Sequence, residues 1–266
     1  IHLALAKENE IHHPIRRAPP SPLSAEATSV NGPCQRWRGD AKTCSDIFKP
    51  LLPILKASAT PVYYMETIFH YGLALGEQGR YQEAIRVLEE GREFGLKSGE
   101  RYNTPKLTNS LGWAYHELCH FAKAIEYNHL ALDSIQELLG PGPSDLLEMH
   151  SQTHINLGEN YLMTGDVQKA RENLKLVYEN INNPAYAFAR TRWKPRCLLG
   201  LGELWLQTGD ADKAESCLSE LFEHQWTDKF HFKKYQLRAW SLKIDIFSAM
   251  LLISENDFTG FEQLFS

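Results

Sequence analysis

The chain lacks any run of about eighteen consecutive apolar residues, so no segment is suited to spanning a bilayer as a helix. Cysteine is scarce. Cys34, Cys44, Cys119, Cys197 and Cys217 are too scattered for a disulfide framework, and no pair has the two-residue spacing of a thiol redox site or zinc knuckle. That usage points to a reducing, cytoplasmic compartment. Excess positive charge is missing too: the formal net charge is -5, and no Lys/Arg run is long enough to make a nucleic acid footprint. No phosphate-binding GxxxxGK[ST] loop, dinucleotide fingerprint or nucleophile elbow occurs, so no cofactor is expected and no enzyme class built on those devices. The opening IHLALAKENEIHH carries neither the basic leader nor the apolar run of a secretory signal. Beginning at Ile1 rather than Met, the chain is expected to be a fragment or a processed product.

Hydrophobic residues make up 43% and charged residues 23%, which separates the chain from disordered sequences. Its organisation is repetitive. YGLALGEQGRYQEA (71–84), LGWAYHELCHFAKA (111–124), LGENYLMTGDVQKA (157–170) and LGELWLQTGDADKA (201–214) align without gaps. Each has a glycine at one position: Gly72, Gly112, Gly158 and Gly202. A large residue follows one turn later (Leu75, Tyr115, Tyr161, Trp205), then Gly79, Cys119, Gly165 or Gly209, and a closing alanine at 84, 124, 170 or 214. Such self-similarity takes precedence over any local motif.

The pattern predicts a helix–turn–helix unit. A glycine in the first helix lets the second approach, and the large residue shares its face and fills the groove. Glycine at the hinge adopts the left-handed conformation that ends a helix. Asp166 and Asp210 are suited to capping the second helix, in which Leu88, Leu174 and Leu218 form the buried stripe. A degenerate fifth copy runs over 249–261, with Ala249, Leu252, Asn256 and Phe258 at the matching positions and Phe261 where alanine is expected. Anchor spacings of 40, 46 and 44 residues imply helices of roughly 15–20 residues or long loops, with breaks at GPGPSD (140–145) and NNPAY (182–186). Residues 1–45, carrying Pro19, Pro20 and Pro22, are expected to be irregular. Residues 46–266 form the repeat domain, opened by a capping helix over Asp46–Ala57 interrupted near Pro53.

These segments closely resemble tetratricopeptide repeats over about 62–261. The period exceeds the usual length of about 34 residues. It resembles the extended repeats of kinesin light chains and the sensor arrays of bacterial LuxR-type regulators, signalling ATPases and nucleotide cyclases. The resemblance implies an all-α, right-handed superhelical solenoid of antiparallel helix pairs whose inner surface binds a peptide or another protein. By family register that surface carries Lys106, Asn109, Trp113 and His116 in repeat two, then Gln152, Ile155, Glu159 and Leu162 in repeat three. Repeat four contributes Arg196, Leu199, Glu203 and Leu206, and repeat one Phe69, Leu73 and Gly76. The implied function is an interaction or sensory module of a larger regulatory protein. A non-binding spacer is the bland alternative.

Some motifs point elsewhere. His116-Glu117-Leu118-Cys119-His120 matches the HExxH signature of zinc hydrolases, whose two histidines sit one helical turn apart. Here the repeat pattern places a hinge between them, so a metal-dependent hydrolase is the minor alternative and no metal ligand is assigned. Glu126–His129 resembles half of a di-iron site without its companion. His150 and His154 stand four apart, where packing is the expected role, and the cluster Arg190, Arg192, Lys194 and Arg196 reads as a solvated or capping group. Arg38-Gly39-Asp40 is a short tripeptide of the kind any loop can hold.

Overall fold

A computed structural model describes residues 39–57, 61–138, 144–181, 187–223 and 246–255, with Ala25, Gln35, Arg36 and Asn183 besides. Among them the chain is helical and has no strand. It divides into two compact units, residues 1–104 and 105–266.

In the first unit, α1 (Ala41–Phe48) and α2 (Leu52–Lys56) precede the hairpin of α3 (Pro61–Glu77) and α4 (Tyr81–Ser98). Asp40 starts α1 by accepting from the Thr43 N–H at 2.9 Å. The helical segment therefore begins at Ala41, not Asp46, and its interruption falls at 49–51. Pro53 lies in the first turn of α2, where a missing N–H costs no ladder bond. Cys44, Phe48 and Leu55 are buried with Tyr64, Met65, Ile68, Leu75 and Leu88. Gln78 ties α3 to α1, donating to the Ala41 carbonyl and the Ser45 hydroxyl, each at 3.1 Å.

In the second unit α5 (Asn103–Glu117, which begins just before it) pairs with α6 (Phe121–Leu138), α7 (Ser144–Thr164) with α8 (Val167–Asn180), and α9 (Ala187–Gln207) with α10 (Ala211–Glu223). The first helix of each later hairpin packs on its predecessor: α7 on α6 and α9 on α8, with α7 also touching α9. One core runs through this stack, with Leu157, Leu174, Leu198, Leu204 and Leu221 buried together with Phe247 of a further helical stretch at 246–254. In that fifth copy Ala249 is buried and Leu252 half-buried, while Asn256, Phe258 and Phe261 lie outside the described residues. So do Pro19, Pro20, Pro22 and Arg38 of the leader.

The four hinges share one geometry. Gly79, Cys119, Gly165 and Gly209 have φ of 76°, 58°, 79° and 75°, and Cys119 is the one non-glycine with positive φ among the described residues. At each, the hinge N–H bonds three residues back, and the next N–H bonds five back to the carbonyl of Leu75, Tyr115, Tyr161 or Trp205. This is a Schellman closure. The large residue of each repeat thus fills the helix groove and also accepts the hinge bond. Asp166 and Asp210 then cap α8 and α10, accepting from the N–H groups of Lys169 and Lys213 at 3.2 Å.

The glycines are where the helices touch. A Cβ on Gly72 would stand 2.6 Å from Leu88 Cδ2, and one on Gly158 would stand 2.6 Å from Leu174 Cγ. Gly202 departs from this pattern, because Phe247 of the following helix occupies the space beside it.

Cys119 holds a conformation that costs an L side chain energy, so Cys119→Gly should stabilise the protein by about 0.5–1 kcal/mol in a urea titration. A loss of stability would contradict the hinge account.

Candidate functional site

First helices of successive repeats line a small groove in the second unit. Its cavity of about 170 Å³ is bounded by His116 of α5, Glu159 and Met163 of α7, and Arg196, Leu199, Gly200 and Glu203 of α9. Pockets that enclose whole small molecules run to about 300–1,000 Å³. This one has room for a single side chain of a larger ligand. Across it the Arg196 guanidinium grips Glu159 with both arms: Nε donates to Oε1 at 2.7 Å and Nη2 to Oε2. Both side chains are largely buried, so the pair is held far more firmly than an exposed one. Beside it, the space among Trp113, His116, Asn156, Asn160 and the ion pair is too tight for water.

Five residues expected on the inner face from sequence (His116, Glu159, Arg196, Leu199, Glu203) therefore meet around one cavity, while Trp113 lines the tight space beside it, with Nε1 donating to Glu117 at 3.0 Å. Lys106 and Gln152 are half-buried and line neither space. Two expectations need correction. Ile155 is fully buried in the core, because its position turns toward the adjoining repeat. Asn109 is buried as well, and its side chain is engaged inside the stack. Met163 and Gly200 also line the cavity, outside the family register. Met163 is more than half exposed at the rim, and no repeat position marks it.

Behind the groove lies a network of buried amides. Asn128 stands where the other repeats have Leu88, Leu174 and Leu218, and its amide rests on Gly112. Its Nδ2 donates to Asn109 Oδ1 at 2.9 Å, which also accepts from Asn156 Nδ2 at 2.9 Å. Asn160 Nδ2 donates to Asn128 Oδ1 at 3.3 Å and to the Asn156 carbonyl at 2.7 Å. Because the Asn160 amide nitrogen is thus spent, its Oδ1 is the acceptor facing His116 Nδ1 at 2.9 Å, and that ring nitrogen carries the proton. The network orients His116 toward the cavity.

Residues 195–220 match the tetratricopeptide repeat family, spanning the α9–α10 hairpin that contributes Arg196 and Glu203. The repeat at 195–220 is therefore of the tetratricopeptide type, and all four hairpins carry the same Schellman hinge. The fold is tetratricopeptide-like. No curated protein sequence matches it. Among solved structures, NprR in complex with its cognate peptide NprX is 13% identical with a TM-score of 0.68, over 99% of this chain and 71% of that one. A Rap protein complexed with competence and sporulation factor is 14% identical with a TM-score of 0.68, over 97% and 73%. A putative kinesin light chain of Podosopora anserina with nearly identical TPR-like repeats is 16% identical with a TM-score of 0.57, over 78% and 98%. At these identities the likeness concerns the fold: an all-α solenoid of antiparallel helix pairs.

The repeat hinge also decides where the zinc-hydrolase look-alike residues go. His116 closes α5, Cys119 turns left-handed, and His120 packs against Tyr115 with ring centroids 6.3 Å apart. The helical turn that would set the two imidazoles on one face is absent. In the Glu126–His129 stretch, Glu126 is exposed, Asn128 is buried, and His129 Nε2 bonds the Tyr161 hydroxyl at 2.8 Å. Among the described residues no three His, Cys, Asp or Glu side chains gather as a metal-binding group. Of the basic cluster, Lys194 pairs with Glu220 at 2.5 Å and Arg196 with Glu159, while the side chains of Arg190 and Arg192 lie outside the description.

His150 and His154 form a neutral pair within α7. Asn173 Nδ2 donates to the Lys169 carbonyl, so its Oδ1 accepts from His154 Nδ1 at 2.8 Å. The bare His154 Nε2 then accepts from His150 Nε2 at 3.2 Å. Burial, reinforced by the neighbouring His154, pushes His150 down to about 4 from an ordinary 6.5, and burial lowers His154 too. Between those values the unfolded chain takes up a proton at His150 that the folded one refuses, so stability falls as pH falls. The stability difference between wild type and His150→Gln should be constant above pH 6.5 and shrink as pH drops toward 4. Chemical denaturation at stepped pH reads this directly, and a difference that does not change with pH contradicts the buried neutral pair.

Proposed function

We propose that the chain is a non-catalytic peptide- or protein-binding scaffold that receives its partner along the first helices of repeats two to four. The observation that carries this reading is the cavity shared by α5, α7 and α9, because a site assembled from three successive repeats suits an extended ligand crossing them. Its volume of about 170 Å³ fits one anchoring side chain. The exposed Met163 offers an adaptable apolar contact, and Glu159, Arg196, Glu203 and His116 supply polar ones. The likeness to NprR and Rap, each solved with a bound partner named in its description, supports a peptide as the ligand. On this reading the repeat region is the sensory or docking part of a larger regulatory protein and works in the cytoplasm. Among the described residues no helix is long and apolar enough to cross a membrane.

Selection from a displayed peptide library tests the reading. Wild type should yield peptides that bind more tightly than about 100 µM. Met163→Arg and Glu203→Lys should each weaken a selected peptide by about tenfold while leaving the circular dichroism spectrum unchanged. Equal binding by both variants would refute the groove, and failure to select any peptide would favour a spacer.

A further inference from the structure

In repeats two, three and four a lysine lies over the large ring of the same repeat. Lys123 is 5.1 Å from the centre of Tyr115, Lys169 is 5.2 Å from Tyr161, and Lys213 is 4.5 Å from Trp205. Each lysine directly precedes the repeat's closing alanine. Repeat one has Leu75 and Glu83 at the two positions and no such contact. At Trp205 the arrangement grows. Arg171 and Lys175, one turn apart on α8, reach the same indole at 5.1 and 5.9 Å. Three cationic groups from α8 and α10 therefore converge on one ring of α9.

Their charge is only partly answered. Lys213 pairs with Asp210 across the α10 cap. Arg171 and Lys175 form no ion pair among the described residues, and the neighbouring Glu172 is engaged by Gln168 at 2.7 Å. Arg171 Nε is buried and has no acceptor. An indole face attracts a cation, but three cations on one ring repel one another, and Asp210 answers only Lys213. Lys175 and Lys213 are exposed, and Arg171 and Trp205 are half-buried, so an anion can approach.

The cluster faces away from the groove. Trp205 and Glu203 stand two residues apart on α9, which is about 200° around the helix. The same helix thus offers a mixed polar groove on one side and a cationic aromatic patch on the other.

We propose that Arg171, Lys175, Lys213 and the Trp205 indole form a second docking surface that takes an acidic peptide segment of a partner protein. Carboxylates suit the planar guanidinium of Arg171 and the two ammonium groups, while the indole accepts the apolar part of a neighbouring side chain. A nucleic acid fits poorly. Its phosphate backbone would run beyond three cations onto a protein of formal net charge -5. With the groove occupied by one ligand, this patch lets the repeat region hold another.

The test uses the whole chain and a fluorescein-labelled peptide of about eight glutamates, followed by anisotropy at about 0.15 M salt. Arg171→Glu/Lys175→Glu should weaken binding by about tenfold or more, and Arg171→Gln/Lys175→Gln should weaken it less. Lys42→Glu/Lys97→Glu carries the same change in net charge at two exposed lysines of the first unit and should bind as wild type does. The Met163→Arg groove variant should also bind normally, which separates this surface from the proposed groove. Equal weakening in both charge-reversed variants would overturn the proposal in favour of general electrostatic attraction. Absence of binding by wild type, or equally effective competition by a single-stranded oligonucleotide, would overturn it as well.

Discussion

In repeats one to three the paired helices cross closely because the first of them gives up a side chain at the crossing, at Gly72, Gly112 and Gly158. Gly72 lies under Leu88 and Gly158 under Leu174, so closely that a methyl group at either glycine would collide with the leucine. The hinges follow from it. A pair crossing that closely needs a short connector, and the left-handed residues at 79, 119, 165 and 209 provide one. The carbonyl that closes each hinge belongs to the large residue that fills the groove, so packing and turn are coupled at one position. Once the hairpins are set, stacking them brings α5, α7 and α9 together, and the cavity appears where their side chains meet.

Repeat two departs from the apolar scheme, and the departure is where the candidate site lies. Asn128 replaces leucine against Gly112, and a buried amide there has to be satisfied by other amides. Asn109, Asn156 and Asn160 do so, with His116 at the edge. A directional network of this kind tolerates little sliding between repeats, whereas leucine packing tolerates more. The structure thus fixes the wall behind the groove with hydrogen bonds and leaves the rim, at Met163, to a flexible apolar chain. The Arg196–Glu159 clasp, made between helices α7 and α9, completes the wall.

Much of this was legible beforehand, for identifiable reasons. Hinge and crossing residues recur in every repeat, and a recurring local constraint shows in a single sequence: alignment with Gly79, Gly165 and Gly209 gives Cys119 its glycine-like role. Asp166 and Asp210 were readable as caps because capping is a contact of three residues' reach. Contacts between repeats were not readable. Arg196 and Glu159 are 37 positions apart, and their approach depends on helix length and loop geometry. The same cause misplaced Ile155 and Asn109, since family register gives the face of a helix but not how far a neighbouring repeat covers it. The start of α1 is set by the Asp40 cap, a local signal that places it before Asp46, and Pro53 lies in the first turn of a second short helix. The cations around Trp205 were each visible, and only folding reveals that they share one ring.

The central claim is that the first helices of repeats two to four receive the ligand. Hydrogen–deuterium exchange on the whole chain, with and without a peptide selected for binding, tests it at the level of single helices. The account predicts added protection in α5, α7 and α9, centred on the segments around His116, Glu159 and Leu199, with α6, α8 and α10 little changed. Protection confined to the second helices, or a bound peptide that leaves all three first helices unprotected, would contradict it.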